Sequence, residues 1–592
     1  MEKPVDTAED ESWGEMTSEA INKLLLVNAP SNVFLRHPLF RRIYLFFFVL
    51  TTIFILVPMW TIIYLLRGNR PRTSWTLERC LRVRFSRRLC GLVARCELDY
   101  LGRDLSVDLD PTTLTHSHPI TIPPAPPSLL RGHAKETLAQ LHESRGSWNP
   151  HFIHRLKRDD PKAWGRWNAE NERSTKYGFE QVKAFWFTGE KATPDEGPKP
   201  RLPGDPVMIH FHGGGYLCGT AAETDLTSSI CKSLVKHSPI HHVLSVDYRL
   251  APTGPWPIPL LDAITTYYHL VKVEHIPERD IVIGGDSAGG HLALALVRWL
   301  RDSGSGVGLK MPRGVVLMSP WSDVGFTNAW GAEAVRYNAD SDVIEDTFGP
   351  FACSLLLRAL PASTIHTSSY LSPASKLLPA KPNGPDSFEH FPPTYIVYGD
   401  AERLVTSIKI LWDRIQLSRQ DEKTVVPDRL FCGPDAVHDF MIFPWMAQEA
   451  AMVYEDLDVW LRELLAADLG EDDEEEEIPT SPEEAQSPDW KDIALQRRLS
   501  RKKTRESIKS AKSPTMGPVS DESGVMRMVE DMREEGMSMI DVPAFDLDLS
   551  PFVPQHEDGE YDWEEGQKPW YEIDGGGSED SGDDAMESRK NR

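Results

Sequence analysis

Residues 283–291 read IGGDSAGGH, and the apolar run RDIVI leads directly into them. Ser287 lies between Gly285 and Gly289, which is the spacing Gly-x-Ser-x-Gly. Glycine has no Cβ atom, so this spacing allows a very sharp turn from a strand into a helix. Such a turn lifts the serine hydroxyl clear of the backbone. The pattern therefore predicts a nucleophilic serine, although an ordinary glycine-serine turn can have the same spacing.

The sequence around this motif alternates between short β-rich runs and helical stretches. The β-rich runs are VKAFWF, VMIHFH, HVLSVDY, IVIGG, GVVLMS and TYIVYG. The helical stretches include LLDAITTYYHLVK, HLALALVRWLR, VTSIKILWDRIQ and AAMVYEDLDVWLRELL. This alternation is typical of a mostly parallel sheet covered by helices on both faces. We therefore predict an α/β catalytic domain over residues 176–467.

Three consecutive glycines, Gly213, Gly214 and Gly215, follow the strand-like run VMIHFH. A nucleophilic serine needs donors for the oxyanion that forms during attack on a carbonyl group. Bare glycines let backbone N–H groups approach a carbonyl oxygen closely. We predict that this glycine loop forms the oxyanion hole together with the amide of Ala288, which follows Ser287.

A base and an acid are expected after the serine, in the order serine, acid, histidine. His438, in GPDAVHDF, comes after the last predicted strand and before the C-terminal helix. It is the candidate general base, and an ordinary surface-loop histidine is the alternative. Asp400 and Glu402, in PPTYIVYGDAERL, both qualify as the acid, since either carboxylate could accept from the His438 ring.

Five segments resemble the hormone-sensitive-lipase-like branch of the α/β-hydrolases. They are HFHGGG, DYRLAP at 247–252, GDSAGG at 285–290, SPWSD at 319–323 and VHDF. The resemblance covers about 290 of the 592 residues. It implies an α/β-hydrolase fold with a cap, and an ester hydrolase in which Ser287 is the nucleophile and His438 is the general base and then the acid. The implied oxyanion donors are Gly214, Gly215 and Ala288.

The same resemblance bears on the acidic residue. The branch places its acid as an aspartate in an xxDPLxD loop, and Glu402 falls on that position in this sequence. Glu402 is therefore predicted as the acid, with Asp400 as the alternative. Asp286 and Asp247 are expected to brace loops rather than to react.

Residues 43–66, IYLFFFVLTTIFILVPMWTIIYLL, contain no charged side chain. At about 1.5 Å per residue, this helix would span roughly 36 Å, enough for the hydrocarbon core of a bilayer. The segment begins too late for a cleaved signal peptide, and a buried core helix is the alternative. We predict a transmembrane helix at 43–66, preceded by a flexible segment at 1–42. With this anchor, the chain resembles fungal membrane-anchored esterases of the steryl acetyl hydrolase type.

Basic residues flank this helix on both sides. Three Lys or Arg side chains lie close before it, and six lie within the twenty residues after it. Cytosolic flanks carry the excess of Lys and Arg, so the bias favours a cytosolic catalytic domain. None of the eleven asparagines stands in Asn-x-Ser/Thr, which agrees with that side. We expect a single-pass protein of the endoplasmic reticulum membrane.

Residues 67–175 are interpreted as a basic juxtamembrane region, cap and linker. The stretch ERCLRVRFSRRLCGLVARC could lie on anionic lipid or pack on the catalytic domain, and the sequence leaves both open. The Pro-rich run HPITIPPAPPSLL is interpreted as a linker. More of the cap is expected from the irregular insertion at about 324–390, whose Trp and Phe residues could line an apolar pocket or belong to the core.

Residues 470–592 hold 34 acidic and 15 basic side chains, and so carry −19 of the formal net charge of −25. Low apolar content with high charge predicts a disordered acidic tail over 468–592. Charge therefore gives no support for nucleic-acid binding by the folded domain. The basic island RRLSRKKTRES and three Ser-Pro pairs suggest a regulatory tail that kinases or binding proteins contact. The candidate phosphorylation sites are Ser481, Ser487, Ser500, Thr504, Ser507 and Ser513.

The cysteines and histidines do not form a metal-binding pattern. Seven scattered cysteines without a Cys-x-x-Cys pair predict neither a disulfide framework nor a zinc site. His210 and His212 lie two apart on a predicted strand, but His212 is expected to stiffen the glycine loop by hydrogen bonding. The chemistry outlined above needs no metal and no organic cofactor.

These features together predict a membrane-anchored serine hydrolase that cleaves carboxylic esters of apolar alcohols or acids through an acyl-enzyme. Lipid or sterol esters are the expected substrates, because a bilayer-tethered enzyme has access to them. The alternative is a catalytically inactive hydrolase-fold scaffold whose acidic tail recruits partners. Acyl transfer to an alcohol instead of water remains a third hypothesis, because both reactions share the acyl-enzyme.

Overall fold

The computed structural model describes residues 35, 38–96, 110–143, 178–191, 193, 196–251, 254–328, 338–357, 360, 362–420, 426–467 and 529. The predicted flexible segment at 1–42 and the predicted tail at 468–592 therefore lie outside the described residues, apart from residues 35, 38–42 and 529.

The described chain begins with an apolar helix. Its first part, α1 (Pro38–Thr51), passes through a π-helical turn (Thr52–Leu56) into α2 (Val57–Leu65). Pro58 lies at the start of α2, where its missing N–H interrupts the regular hydrogen bonding of the helix. Leu39–Leu65 is long and apolar enough to cross a membrane, which agrees in place with the predicted span at 43–66.

A central sheet of eight strands organises the rest of the described chain, in the order β1-β2-β4-β3-β5-β6-β7-β8. β1 and β2 pair antiparallel, as do β2 and β4, and all the other neighbours are parallel. The strands are β1 (Ser117–Ile122), β2 (Val182–Phe187), β3 (Val207–Phe211), β4 (His242–Asp247), β5 (Ile281–Asp286), β6 (Gly314–Met318), β7 (Thr394–Gly399) and β8 (Arg429–Gly433). The mostly parallel α/β sheet predicted from the alternating pattern is confirmed.

Helices accompany this sheet, and most of them bury an apolar face against it. The helix after β5 is buried along its whole length. The helices that follow α2 are α3 (Leu77–Arg95), α4 (Gly132–Glu143), α5 (Ser228–His237), α6 (Ile258–Tyr268), α7 (Ala288–Trp299), α8 (Phe348–Leu357), α9 (Ala362–Thr367), α10 (Val405–Ser418) and α11 (Ala447–Ala466).

The sheet begins earlier in the chain than the sequence predicted. Residues 118–122, which begin the run interpreted above as a Pro-rich linker, belong to the edge strand β1. Pro119 lacks an N–H group, and an edge strand tolerates this because only one of its sides pairs with a neighbour. The opposite edge strand, β8, was not predicted either. His438 therefore follows β8, one strand later than the sequence suggested.

Strand register brings five loops to one edge of the sheet. Phe211 of β3 pairs with Gly285 of β5, and Asp286 pairs with Met318 of β6. Gly399 of β7 pairs with Gly433 of β8. The loops that follow these five parallel strands therefore leave the sheet side by side. In α/β sheets, ligands bind in the crevice outside these carboxyl ends.

Candidate active site

Ser287 occupies a strained turn between β5 and α7. Its φ of 50° and ψ of −114° lie outside the backbone regions that residues other than glycine usually adopt. The flanking glycines make the turn possible. A Cβ atom at Gly289 would lie 1.9 Å from the Phe211 carbonyl oxygen, and one at Gly285 would lie 2.4 Å from the Gly289 carbonyl carbon. The Gly-x-Ser-x-Gly spacing thus has the structural cause that the sequence suggested.

His438 lies directly opposite this serine. Its Nε2 atom is 2.9 Å from Ser287 Oγ, a hydrogen-bond distance. The His438 backbone N–H donates to Asp342 Oδ1 at 3.0 Å. The Asp342 carboxylate also accepts from the backbone N–H of Arg403 at 2.8 Å. Asp342 therefore connects the histidine loop to the loop that follows β7.

Glu402, and not Asp400, faces the histidine ring. Glu402 Oε2 lies 3.7 Å from His438 Nδ1 and accepts from Ser319 Oγ at 2.7 Å. Burial raises the pKa of Glu402, and the adjacent His438 opposes this rise. The Asp400 carboxylate points elsewhere, since it accepts from the Asp435 backbone N–H at 2.8 Å and its side chain is 41% exposed. Of the two carboxylates left open by the sequence, the structure brings Glu402 to the site.

Asp439 is a second carboxylate beside the ring, and the sequence analysis missed it. Its Oδ2 atom lies 3.2 Å from His438 Nε2, on the same side as Ser287. The residue adopts a left-handed conformation with φ of 51°, and its backbone N–H donates to Ser319 Oγ at 3.2 Å. The motif VHDF contains this aspartate, but only the left-handed turn shows that its carboxylate reaches the ring.

The two acids change the titration of the groups around Ser287. Burial alone would lower the pKa of His438, but the carboxylates of Asp439 and Glu402 outweigh burial and raise this pKa well above its ordinary value. Burial raises the pKa of Asp439 to about 7, against the opposing effect of His438. The site therefore favours an imidazolium once a proton reaches the ring.

The glycine loop lies beside Ser287, and one of its glycines has a different role from the one predicted. The Gly213 backbone N–H donates to Asp286 Oδ2 at 2.8 Å, so it is already engaged and Gly213 is corrected from an oxyanion donor to a residue that anchors the loop. A Cβ atom at Gly213 would lie 3.2 Å from the Ser287 Cβ. Asp286 also contacts His210, with 3.1 Å between Oδ1 and Nε2.

Gly214 and Gly215 adopt backbone conformations that favour glycine, with φ of 102° and 62°. A Cβ atom at Gly214 would lie 2.1 Å from the Cys218 carbonyl oxygen, and one at Gly215 would lie 2.9 Å from Phe348 Cε1 in α8. No acceptor within the described part of the chain takes the backbone N–H of Gly214, Gly215 or Ala288. These amides are available to a bound carbonyl oxygen, and Phe348 of α8 lies beside Gly215.

His212 stiffens the start of the glycine loop, as the sequence suggested. Its Nδ1 atom lies 2.8 Å from the Gly213 carbonyl oxygen, and its ring stacks on Tyr248 with 4.5 Å between centroids. The Tyr248 hydroxyl donates to the His212 carbonyl oxygen at 2.6 Å. Asp247 accepts from the Ala221 backbone N–H at 2.8 Å and so braces a neighbouring loop.

The described residues contain no group of three or more His, Cys, Asp or Glu side chains arranged to hold a metal ion. All seven cysteines lie among these residues and are free thiols. His291 and His366 are buried, and burial lowers the pKa of each to about 4; the His291 ring contacts the Tyr216 hydroxyl and the Leu371 carbonyl oxygen.

A family model described as an α/β-hydrolase fold matches residues 208–442. This segment is an α/β-hydrolase domain. The match spans all the loops that carry Ser287, Glu402, His438 and the three glycines. The match agrees with the α/β-hydrolase fold that the sequence resemblance implied.

Several curated proteins are similar to parts of the α/β-hydrolase domain. An esterase of Acinetobacter venetianus is 33% identical over 211 residues, covering 34% of this chain and 59% of that protein. A versiconal hemiacetal acetate esterase of Dothistroma septosporum is 28% identical over 200 residues, covering 32% and 54%. Steryl acetyl hydrolase 1 of Saccharomyces cerevisiae is 29% identical over 126 residues, covering 21% and 28%. The chain thus spans at most 59% of the length of these relatives.

Among solved structures, a hormone-sensitive lipase from a metagenome library is similar to the α/β-hydrolase domain. It matches 48% of this chain and 82% of its own, with 23% sequence identity and a TM-score of 0.38.

Proposed function

We propose that this protein is a membrane-anchored serine hydrolase that cleaves carboxylic esters through an acyl-enzyme. The observation that carries the proposal is the 2.9 Å contact between Ser287 Oγ and His438 Nε2, on a strained turn beside a glycine loop. Similarity to proteins named as esterases and acetyl hydrolases supports the ester bond as the one that is cleaved.

In the acylation step, His438 Nε2 takes the proton of Ser287 as the Oγ atom attacks the ester carbonyl carbon. The oxyanion that forms accepts from the backbone N–H groups of Gly214, Gly215 and Ala288, because these donors are fixed before the reaction. Glu402 stabilises the imidazolium from the Nδ1 side. The imidazolium then protonates the leaving alcohol, and the acyl group stays on Ser287.

In the deacylation step, water enters where the alcohol left. His438 takes a proton from this water, which attacks the acyl carbon, and the same oxyanion donors hold the second tetrahedral intermediate. Protonation of Ser287 Oγ by the imidazolium releases the carboxylic acid. An alcohol in place of water would give acyl transfer through the same groups.

Apolar esters that partition into a membrane are the proposed substrates, with sterol and other lipid esters as the class. The apolar helix at Leu39–Leu65 supports membrane anchoring, and the relative named steryl acetyl hydrolase supports a sterol ester. We place the protein on the endoplasmic reticulum membrane with a cytosolic α/β-hydrolase domain, because the basic flanks of that helix favour the anionic cytosolic leaflet. Kinases or binding proteins are the proposed partners of the tail.

A fluorophosphonate probe tests the nucleophile. Full-length protein in membranes should be labelled, and Ser287→Ala should not be labelled. His438→Ala should lose labelling as well, because the serine then has no base. If folded wild-type protein is never labelled, the inactive scaffold replaces this proposal.

Vesicles that contain esters test the substrate class. The wild type should hydrolyse a sterol acetate or an acylglycerol in a bilayer, and Ser287→Ala should not. If the wild type cleaves only short water-soluble esters, the serine hydrolase mechanism is still supported, but lipid esters are not its substrates.

A further inference from the structure

The basic helix α3 lies lengthwise against one face of the apolar helix. Arg84 Nε donates to the Tyr64 hydroxyl oxygen at 2.6 Å. Arg88 Nε donates to Thr52 Oγ1 at 2.6 Å, and its guanidinium lies 4.1 Å from the centre of the Phe48 ring. At the other end, Tyr44 packs against a small buried cluster that includes Val93 of α3. These contacts extend from residue 44 to residue 64, which is about 30 Å of helix at 1.5 Å per residue.

The other side of α3 is attached to the α/β-hydrolase domain. Arg79 forms an ion pair of 2.7 Å with Glu449 of α11, and Arg95 forms one of 3.4 Å with Glu345. Arg87 Nη1 donates to the Ile344 carbonyl oxygen at 2.7 Å. Of the two positions that the sequence left open for the basic stretch, the structure thus shows packing on the catalytic domain. The apolar helix, α3 and the α/β-hydrolase domain form successive layers.

This packing conflicts with a helix that crosses a bilayer. Thr52 is the central residue of Leu39–Leu65, so a full crossing would place the Arg88 guanidinium near the middle of the hydrocarbon layer. Charged side chains at that depth are costly and rare. α3 carries six arginines and one glutamate over its 19 residues, so most of it would be buried in lipid too.

The face of the apolar helix that points away from α3 has the opposite character. Thr52 and Phe48 are 2% and 6% exposed, whereas Phe54 is 70% exposed. Other large apolar side chains exposed on this helix are Phe46, Phe47, Ile55, Ile62 and Leu65. A continuous apolar face of this length, beside a helix rich in arginine, is typical of a helix that lies in the plane of a membrane surface.

We infer that the apolar helix lies in one leaflet, parallel to the membrane, with α3 and the α/β-hydrolase domain above it on the same side. The inference rests on the membrane anchoring proposed above, but it does not depend on ester chemistry. The charges agree with it, because Arg41 and Arg42 lie in the first turns of the helix and Arg67 and Arg70 follow it, so that both ends are basic. Both ends then lie among the headgroups of one leaflet, where basic side chains are favoured.

The same arrangement places the glycine loop near the membrane side of the domain. Phe348 packs against the buried cluster of Leu35, Val93 and Cys96, and Tyr44 and Leu45 of the apolar helix pack against the same cluster. Its ring also lies against Gly215, where a Cβ atom would be 2.9 Å away. This cluster and the Phe348 side chain therefore lie between the apolar helix and the oxyanion loop, and they mark a path from the leaflet towards Ser287.

Engineered glycosylation tests the arrangement, since the chain has no Asn-x-Ser/Thr of its own. One acceptor site is placed before residue 35 and, in a second variant, one is placed after residue 467. In full-length protein expressed in cells, the two acceptor sites should be either both glycosylated or both unglycosylated. A protease added to sealed membranes should likewise digest tags at both ends of the chain or at neither end. Glycosylation or protease access at one end only would mean that the helix crosses the bilayer, and would overturn the inference.

A matched pair of substitutions gives a second test. Thr52→Asp adds a carboxylate on the face that contacts Arg88, and Phe54→Asp adds one two residues away on the exposed face. An in-plane helix predicts that Thr52→Asp stays with membranes washed at alkaline pH and that Phe54→Asp is released. Equal release of both variants would contradict it, because a crossing helix places both near mid-bilayer.

Two controls separate this inference from the proposed function. If the wild-type protein does not remain with membranes washed at alkaline pH, the exposed apolar face of the helix does not bind a membrane. That result would favour a protein partner on this face. Fluorophosphonate labelling of Ser287 in the same samples reports the chemistry independently.

Discussion

His438 lies between two carboxylates that act on different ring atoms. Glu402 is near Nδ1, at 3.7 Å, and Asp439 is near Nε2, at 3.2 Å. An acid at Nδ1 orients the ring and stabilises the imidazolium, and it leaves Nε2 for the serine. An acid at Nε2 lies beside the proton that moves from Ser287 Oγ to the His438 ring. The two carboxylates should therefore have separable effects on the kinetics.

We expect Glu402→Gln to lower kcat by on the order of 10³–10⁴-fold with a much smaller change in KM, because the ring loses the charge that favours its protonated form. Asp400→Asn is the matched control in the same loop and should retain activity close to that of the wild type. Steady-state hydrolysis of a soluble ester measures both. If Asp400→Asn loses more activity than Glu402→Gln, Asp400 is the acid.

Asp439→Asn should move the acid limb of the kcat/KM profile to lower pH. The sign follows from the role of the base. His438 must be neutral to accept the serine proton, so activity rises as pH passes its pKa. The Asp439 carboxylate raises that pKa, and its removal lowers it. A limb that stays in place, or moves to higher pH, would show that Asp439 does not act on the ring.

At the scale of elements, the segment between the apolar helix and α3 supports the loops of the acid and the base. Arg72 Nη2 donates to the Asp400 carbonyl oxygen and to Asn338 Oδ1, each at 2.8 Å. Asn338 in turn donates to the Glu402 carbonyl oxygen at 2.7 Å. Trp75 is buried, and its Nε1 donates to the Asp435 carbonyl oxygen at 2.9 Å. Residues outside the family match thus position both loops.

Arg72→Met should therefore lower kcat by about 10- to 100-fold, because small displacements of catalytic groups have effects of this size. Arg82→Met is the control, since Arg82 pairs with Glu78 within α3 at 2.7 Å on the surface. Thermal unfolding of both variants shows whether the fold is retained. Equal activity of the two variants, with both folded, would remove Arg72 from this role.

The sequence predicted the elements whose local signals are strong. Ser287 and the glycine loop lie on central strands, where apolar runs and glycine spacing are imposed by sterics. The edge strands β1 and β8 were missed because an edge strand has a mixed pattern, with Pro119 in one and an exposed Cys432 in the other. The side of α3 that meets the domain depends on partners more than 200 positions away, including Glu345 and Glu449, and no local pattern contains this information.

The candidate site, like the fold, could be predicted from the sequence only in part. His438 and the two candidate acids could be found from chain order and spacing, but the choice of Glu402 needed the direction of each side chain. Asp439 is the neighbour of His438 in sequence, yet its contact with the ring depends on a left-handed backbone. Gly213 shared a motif with two oxyanion candidates, and a bond to Asp286, 73 residues away, gives it a different role.

For the whole molecule, the acidic tail is separable from the chemistry. All the residues that contact Ser287, Glu402 and His438 in the described structure precede residue 468. Deletion of residues 468–592 removes 35 acidic and 15 basic side chains, which is −20 of the −25 net charge, and fluorophosphonate labelling of Ser287 should remain unchanged. Loss of labelling in the folded, deleted protein would show that the tail contributes to the site.

The lengthwise contact between α3 and the apolar helix has a kinetic consequence. An enzyme held flat on a leaflet meets its substrate by lateral diffusion, so its rate follows the mole fraction of ester in the membrane rather than the ester concentration of the whole sample. Inert phospholipid added to the same vesicles would then slow hydrolysis at constant total ester. Surface dilution of this kind would set the turnover in a cell, and lipid composition would act as its regulator.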